Sequence, residues 1–282
     1  METKEITRTR GGAFLLQETH PENVFTPEDF SEEQRMMRDA VKEFIDREVW
    51  PNKHRFEQKD YDFTFELMRK AGELGFLGIG VPEAYGGLEM GFVSTMLVCD
   101  YFSGATGSLS TAYGAHTGIG IMPIVLYGTE EQKQKYVPKL ASGEEIGCYC
   151  LTEPGAGSDA NSGKTKAVLS DDGTHYKISG QKIWISNAGY ASVMIVFARI
   201  EDDKNITGFI VPYDPGNGIT LGEEEHKLGI HASSTRQVFF SDTKVPVENM
   251  LSERGNGFKI AMNALNVGRI KLAVACIDAQ RR

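Results

Sequence analysis

One short segment of the sequence combines glycines with hydroxyl side chains in a way that suits ligand binding. Within residues 151–160, Gly155 and Gly157 allow a ligand to approach the backbone closely, while Thr152 and Ser158 offer hydroxyls to polar or phosphate oxygens. A tight connecting turn would have the same composition. The segment alone leaves a ligand-binding turn and a plain turn as two open interpretations.

An indole and a hydroxyl follow further along the chain, near the polar end of a run that alternates like a β-strand. Trp184 can lie against a flat aromatic ligand, and Ser186 can donate a hydrogen bond to the edge of that ligand. Packing of the indole in the core is the simpler explanation for one tryptophan. The strand is therefore a candidate wall of a binding site, with core packing as the alternative.

A single cation interrupts the apolar stripe of the last predicted helix. Arg269 falls between two leucines of that stripe, which places a guanidinium on an otherwise apolar face. A buried charge needs a partner, and either an internal carboxylate or an anionic ligand would serve. The stripe itself comprises Phe258, Met262, Leu265, Leu272 and Cys276.

Common nucleotide and metal motifs are missing from the sequence. Gly163-Lys164-Thr165 resembles the end of a phosphate-binding loop, but that motif requires a glycine where Ser158 stands. No G-x-G-x-x-G run opens a helix, so a nicotinamide Rossmann site is disfavoured. The 6 histidines show no metal spacing and the 4 cysteines form no C-x-x-C pair, so no metal site is expected.

The elements that must position these residues change character along the chain. In the first half, capping boxes at Ser31 and Thr129 begin helices, the second of which we expect to break near Pro138. From Cys148 to about Leu251, β-branched and aromatic runs alternate with turns and predict a sheet. Because no helices separate the runs, antiparallel pairing is expected. The predicted strands are 176–185, 193–198, 206–213 and 235–240.

The fold class is therefore α+β. An N-terminal all-α helical domain at 29–147 precedes a mostly antiparallel, β-barrel-like or sandwich domain at 148–254, and 255–282 form the first helix of a C-terminal helical bundle. Residues 1–28 show no period and are predicted to form a surface extension. No C-cap signal closes the last helix, so we expect the sequence to end inside a third domain or to need a partner there.

The composition excludes several functional classes. A chain of 282 residues with 40% hydrophobic content suits one or two globular domains. The net charge of −9 comes from interspersed acids, which argues against a broad basic face for nucleic acid. The few cysteines fit a reducing compartment, and no apolar run approaches the roughly 20 residues that span a bilayer. With no signal or transit peptide at the start, a cytoplasmic location is expected.

Taken together, these motifs resemble the acyl-CoA dehydrogenase family. Residues 151–160 resemble its first signature, and 182–189 resemble its flavin-stacking strand. Two further motifs, at 227–235 and 245–259, resemble its sheet-domain loop and the passage into its final helical domain. The similarity runs from about residue 31 to residue 280. The stretches 11–30 and 114–139 are most similar to bacterial relatives of the very-long-chain branch.

The resemblance implies a homodimer or homotetramer that binds FAD. It implies that Thr152 donates near the pyrimidine edge of the flavin, and that Trp184 and Ser186 flank the ring beside N5. The full cofactor-binding set that it implies is Tyr149, Leu151, Thr152, Gly157, Ser158, Trp184 and Ser186. The substrate-binding set is Ser158, Asn266 and Arg269.

The reaction implied by the resemblance is the α,β-dehydrogenation of acyl-CoA thioesters to trans-2-enoyl-CoA in fatty acid β-oxidation. A carboxylate takes the α-proton while the β-hydrogen leaves as hydride to the flavin. Electrons then pass to an electron-transferring flavoprotein.

The sequence departs from the family at the catalytic base. Most members carry the catalytic glutamate in a region beyond Arg282, and a minority carry it on the helix around 266–273, where this chain has Gly268. No catalytic residue is therefore assigned, and we expect these residues alone to be inactive and to bind FAD weakly or not at all. The alternatives are a noncatalytic CoA-binding or assembly module on the same scaffold and, less favoured, an oxygen-using flavoenzyme.

Overall fold

The computed structural model describes residue 9 and residues 11–281. Residues 1–8 and 10, which fall within the predicted surface extension, and residue 282, at the end of the last predicted helix, lie outside the described residues. The described part of the extension contains three short 3-10 turns, at Ala13–Leu15, Pro21–Asn23 and Pro27–Asp29.

The first half of the chain is helical, as the sequence predicts. Its α-helices are α1 (Glu32–Phe44), α2 (Lys53–Glu57), α3 (Tyr61–Glu73), α4 (Gly91–Ser103), α5 (Gly107–Gly114), α6 (Met122–Tyr127) and α7 (Glu130–Ser142). Two π-helical turns, Ile45–Val49 and Ala115–Gly120, continue α1 and α5. Further 3-10 turns occur at Trp50–Asn52 and Glu83–Tyr85.

Both predicted capping boxes are present, but the expected break at Pro138 does not occur. The side chains of Ser31 and Thr129 each accept a hydrogen bond from the backbone N–H three residues later. The side-chain oxygen of the glutamine at that position accepts a hydrogen bond from the backbone N–H of Ser31 or Thr129. Helix α7 continues through Pro138 to its end. Val137 and Leu140 are fully buried on either side of the proline, so packing holds the helix although proline removes one backbone donor.

The second half forms a sheet of β1 (Gly147–Cys150), β2 (Lys166–Leu169), β3 (His175–Ser186), β4 (Val193–Ile200), β5 (Thr207–Pro212), β6 (Ile219–Glu224), β7 (Thr235–Pro246) and β8 (Met250–Leu251). The strand order is β6-β7-β3-β2-β4-β5-β8, and β1 also pairs with β4. Pairing is mostly antiparallel, as predicted, but β1 and β2 are both parallel to β4. Short 3-10 turns lie at Ala160–Ser162, Pro215–Asn217 and Val247–Asn249.

Pairing along one edge of β4 is interrupted, and the glycine-rich segment leaves the sheet at this interruption. Strand β1 pairs with β4 as far as Val196, and β2 resumes the pairing at Arg199. Between these points, residues 151–165 leave the sheet as a loop. A backbone hydrogen-bonding gap is therefore open in β4 where this loop departs.

The last helix, α8 (Gly257–Arg281), returns to the helical half and packs against α4. Ile260, Ala261 and Ala264 are buried in the hydrophobic cluster that α8 shares with the sheet. The apolar stripe predicted for this helix is wrong in part. Phe258, Leu272 and Cys276 are exposed, because the packed face of the helix is the one that carries Ile260, Ala261 and Ala264.

The sequence predicts no membrane span, whereas by length and composition alone Gly257–Asp278 of α8 is long and apolar enough to cross a membrane. A core helix of a soluble protein passes the same test, so this finding is weak evidence for a membrane span. Helix α8 packs against α4 and buries Lys271, an arrangement that fits a helix within a folded domain.

A hydrophobic cluster joins the helical half to the sheet. Buried side chains of α6 and α7, such as Ile124 and Leu140, share this cluster with Ile195 and Phe197 of β4 and with Ala261 of α8. The three parts of the described chain therefore meet where the loop leaves β4.

Candidate functional site

A buried ion pair anchors the glycine-rich loop to the sheet. The ammonium of Lys182, on β3, donates to a Glu153 carboxylate oxygen over 2.7 Å. The other carboxylate oxygen accepts hydrogen bonds from the backbone N–H groups of Lys164 and Thr165. Burial by itself raises the pKa of Glu153, but the charge and hydrogen bonds of Lys182, with those of the two amides, lower it below its ordinary value.

Lys182 also fills the gap in β4. Its ammonium donates to the carbonyl oxygens of Phe197, at 2.6 Å, and Leu151, at 3.2 Å. Only 1% of the side chain is exposed, and the three acceptors match its three donors. The lysine therefore closes the sheet where β1 ends and fixes the start of the loop.

Trp184 lies two residues further along β3, in a β-bulge. The register of β3 against β7 shifts between Lys182 and Ile185. Trp184 has a φ of +60°, a left-handed conformation that costs a bulky residue roughly 1–3 kcal/mol. The bulge turns the indole outward, so that 58% of the residue is exposed. Packing of this indole in the core, the alternative left open by the sequence, does not occur.

The loop, β1, β3 and α8 enclose a cavity of about 330 Å³, which we call the turn cleft. The seven residues predicted to bind a cofactor all line it, as does Arg269 from the substrate set, whereas Asn266 does not. Its remaining walls include Ala115 and Ile119 from the second π-helical turn, a feature often found at functional sites. The lining residues from the predicted sets are Tyr149, Leu151, Thr152, Gly157, Ser158, Trp184, Ser186 and Arg269.

The polar groups of the turn cleft are available to a ligand. Within the described residues, the hydroxyls of Thr152, Ser158 and Ser186 make no hydrogen bond to the protein. A Cβ added at Gly157 would meet no atom within 4 Å, so the backbone there borders open space. Tyr149 is the exception, because its hydroxyl donates to the carbonyl oxygen of Ala261 over 3.2 Å. Burial raises the pKa of Tyr149, so its phenol stays neutral.

Arg269 is exposed, which corrects the prediction of a buried guanidinium on α8. It lies at the edge of the turn cleft and donates to the side-chain oxygen of Asn266 over 2.6 Å. The prediction failed because the packed face of α8 is its alanine face, and the buried cation of the helix is Lys271.

A second cavity of about 360 Å³, which we call the helix cleft, adjoins the turn cleft between α4, α5 and α8. The two cavities share Ala115, Ile119, Ser186, Leu265 and Arg269. No aspartate or glutamate among the described residues lines either cavity. The two cavities can therefore bind and orient ligands, but their lining supplies no carboxylate base.

Comparison with known proteins identifies this arrangement. Residues 31–144 match the model of "Acyl-CoA dehydrogenase, N-terminal domain", and residues 148–243 match that of "Acyl-CoA dehydrogenase, middle domain". The chain belongs to the acyl-CoA dehydrogenase family. The two matches correspond to the helical half and to most of the sheet of the described fold.

Individual members of the acyl-CoA dehydrogenase family are similar over most of the chain. A probable acyl-CoA dehydrogenase of Bacillus subtilis is 46% identical over 282 residues, which are 100% of this chain and 47% of that protein. The crystal structure of an acyl-CoA dehydrogenase complexed with FAD from Bacillus anthracis has a TM-score of 0.90 and 47% identity, covering 95% of this chain and 46% of that one.

A structure described as the electron transferring flavoprotein of Acidaminococcus fermentans has a TM-score of 0.84 and 37% identity, covering 90% of this chain and 66% of the matched one. This chain thus spans about half the length of the Bacillus subtilis relative and about two thirds of the matched Acidaminococcus chain.

Sequence reasoning missed two groups that build the site of this acyl-CoA dehydrogenase family member. One is the ion pair of Lys182 and Glu153. The alternating pattern of the strand places Lys182 on its buried face, and a buried lysine predicts a carboxylate partner. The other is His116, a fully buried histidine that the sequence pattern did not single out. Its Nδ1 accepts from the amide of Gly147 and its Nε2 donates to the carbonyl oxygen of Leu140.

His116 links the second π-helical turn to α7 and to the first residue of β1. Both bonds require a neutral ring, with the proton on Nε2. The side chain is fully buried, and burial lowers its pKa to about 4. The neutral imidazole therefore holds the turn that carries Ala115 and Ile119 to the cleft.

Proposed function

We propose that this chain is part of an FAD-dependent acyl-CoA dehydrogenase that converts acyl-CoA thioesters to trans-2-enoyl-CoA in fatty acid β-oxidation. The observation that supports this most is the convergence of one set of residues. All seven residues that the family resemblance assigns to the cofactor, from β1, the loop and β3, line the turn cleft.

The residues of the turn cleft fit a flavin. Three hydroxyls without protein partners border the cavity, and the exposed indole of Trp184 offers a flat face against which a ring can lie. Gly157 leaves room for close approach of a pyrophosphate to the backbone. FAD, when bound there, would accept the hydride that leaves Cβ of the acyl group.

The chain's own residues bind and orient in this proposal. Thr152 donates to the pyrimidine edge of the flavin, and Trp184 shields the reacting face from water. Ser158 is exposed and can donate to the pyrophosphate or to the CoA chain. Arg269 lies at the boundary of the two clefts, where its guanidinium suits an anionic part of acyl-CoA. The acyl group then occupies the helix cleft.

The proton-abstracting carboxylate must come from elsewhere. None lines either cleft among the described residues, and Gly268 occupies the α8 position at which a minority of the family carries the base. We propose that a segment outside these residues supplies the base and the rest of the FAD site, and that the 282 residues alone give no turnover. A homodimer or homotetramer, a cytoplasmic location and electron transfer to an electron-transferring flavoprotein belong to the same proposal.

FAD titration of the flavin-free, full-length protein, in which the segment outside these residues completes the site, tests this proposal. Flavin fluorescence should be quenched on binding, and T152V and S158A should each weaken binding about tenfold, which corresponds to one lost hydrogen bond. T220V, at an exposed threonine of β6 away from the cleft, should bind as the unchanged chain does. Equal binding by all variants would show that the flavin does not occupy the turn cleft.

A noncatalytic CoA-binding or assembly module is the second candidate. The absence of a carboxylate from the cleft lining of the described residues favours it. A chain that binds CoA but no flavin would support the module. A yellow protein whose flavin bleaches on addition of octanoyl-CoA would instead support the dehydrogenase, and would contradict the view that these residues alone are inactive.

A further inference from the structure

Two lysines of the described chain are almost completely buried, and they differ in their partners. Lys182 is 1% exposed and meets a carboxylate and two carbonyl oxygens. Lys271 is 4% exposed, yet within the described residues it forms no ion pair with a carboxylate. Burying an ammonium without a counter-charge costs free energy, so such a lysine is rare unless it binds a ligand or makes a structural contact.

The contacts of Lys271 use only part of its capacity. The ammonium donates to the hydroxyl of Thr117 over 2.9 Å and lies 5.8 Å from the centre of the Tyr113 ring. The Thr117 hydroxyl in turn donates to the carbonyl oxygen of Tyr113 over 2.8 Å. An ammonium has three donors, so one polar partner and one ring leave donor capacity unused and the charge without a carboxylate partner.

Lys271 is also shared by two cavities. It lines the helix cleft and also a third cavity of about 180 Å³ behind it, which we call the inner pocket. On α8 it follows Gly268 by three residues, so both are on one face about 5 Å apart along the helix. A Cβ added at Gly268 would meet nothing within 4 Å, so this part of the helix cleft borders open space.

The inner pocket offers no other charge. Apart from Lys271, its described lining is apolar or carries only hydroxyls, and its walls include Phe76, Ile79, Phe92 and Val267. A saturated chain would have to pass a charged group to enter, whereas a carboxylate would neutralise that charge and form a charge-assisted hydrogen bond.

We propose that Lys271 is a specificity-determining residue that selects acyl-CoA thioesters whose acyl chain ends in a carboxylate. The inference rests on the proposed function, because it places the thioester in the helix cleft and the far end of the chain at the ammonium. Lys271 binds that end and takes no part in the transfer of hydrogen.

Binding of two thioesters of equal chain length tests the inference. The full-length, FAD-loaded protein is titrated calorimetrically with suberyl-CoA, which ends in a carboxylate, and with octanoyl-CoA, which ends in a methyl group. We expect suberyl-CoA to bind at least about tenfold more tightly, and K271M to abolish or reverse that preference. K259M, at an exposed lysine of the same helix, should keep the preference and controls for net charge.

Further variants separate charge from structure. T117V removes the tether but keeps the ammonium, and it should keep the preference. K271Q retains a donor for Thr117 without the charge, so it should lose the preference for suberyl-CoA. It replaces K271M as the test variant if circular dichroism shows that K271M does not fold. If both thioesters bind equally and K271Q changes nothing, Lys271 is only a structural contact and this inference fails while the proposed function stands.

Two other results would overturn the inference. If neither thioester binds, the proposed function fails together with it. The inner pocket also reaches the surface near Phe92, which is half-exposed, so free suberate is titrated as a separate arm. If free suberate binds as tightly as suberyl-CoA, with the same dependence on Lys271, the pocket is a site for free carboxylates rather than for an acyl chain.

Discussion

Removal of the Lys182 ammonium should destabilise the protein more than the loss of any surface ion pair. In K182M, the carbonyl oxygens of Leu151 and Phe197 lose their donor, and Glu153 keeps two amide donors but loses its counter-charge. Breaking a buried pair by removing one partner costs about 3–5 kcal/mol. For a chain of this size, that corresponds to a fall in Tm of about 10 °C.

Urea unfolding followed by circular dichroism measures this cost, and two variants calibrate it. K70M breaks the exposed pairs with Glu48, at a similar separation of 2.8 Å, and with Glu66, at 3.1 Å, and should cost less than about 1 kcal/mol. The double variant E153L/K182M replaces both charges with apolar groups and should recover much of the loss. A cost below about 1 kcal/mol for K182M would refute the view that this pair closes the gap in β4.

The same pair gives a defined dependence on pH. The pKa of Glu153 in the folded chain lies below its ordinary value of 4.5, so the folded state favours the ionised carboxylate. Its contribution to stability is therefore complete above about pH 4.5 and is lost as the pH falls through the folded pKa. We expect the unfolding free energy of K182M to depend less on pH in this acidic window than that of the unchanged chain.

The remaining predictions concern the backbone, the histidine and the predicted cofactor cleft. W184N should be at least as stable as the unchanged chain in urea, since asparagine tolerates the left-handed φ of +60°, but it should bind FAD at least about tenfold less tightly in a fluorescence titration. Because the pKa of His116 falls from 6.5 to about 4 on folding, stability should decline by up to about 3 kcal/mol as the pH falls from 6.5 to about 4, and urea titrations of H116N should lack this decline. E153Q should weaken FAD binding in the same titration, because the loop that carries Thr152 loses its charged anchor.

Local signals in the sequence predicted the local structure well. The capping boxes at Ser31 and Thr129 have the bonds that their spacing predicts, since such bonds connect residues only three positions apart. The four predicted strands all correspond to strands of the sheet. Strands β2, β6 and β8 were missed; β2 has 4 residues and β8 has 2, too few to show an alternating pattern.

Burial of charge was the part that the sequence did not predict. Arg269 and Lys271 are two positions apart on α8, and the helical period cannot say which face of the helix will be packed. The residues Ile260, Ala261 and Ala264 mark the packed face, because they are buried in the cluster that α8 shares with the sheet. The convergence of Thr152, Ser158 and Trp184 was expected from the family resemblance, whereas the lysine that enforces it was not.

The bulge in β3 shows why the anchor and the exposed indole belong together. In a regular strand, residues two apart share a face, so Trp184 would follow Lys182 into the core. One additional residue between Lys182 and Ile185 breaks the alternation, and Ile185 takes the buried place while the indole turns to the cleft. The left-handed backbone at Trp184 is strained, and a strained conformation persists only where its surroundings fix it. The three hydrogen bonds of Lys182 fix the strand two residues away. The backbone N–H of Ile183 donates a further hydrogen bond to the carbonyl oxygen of Thr152.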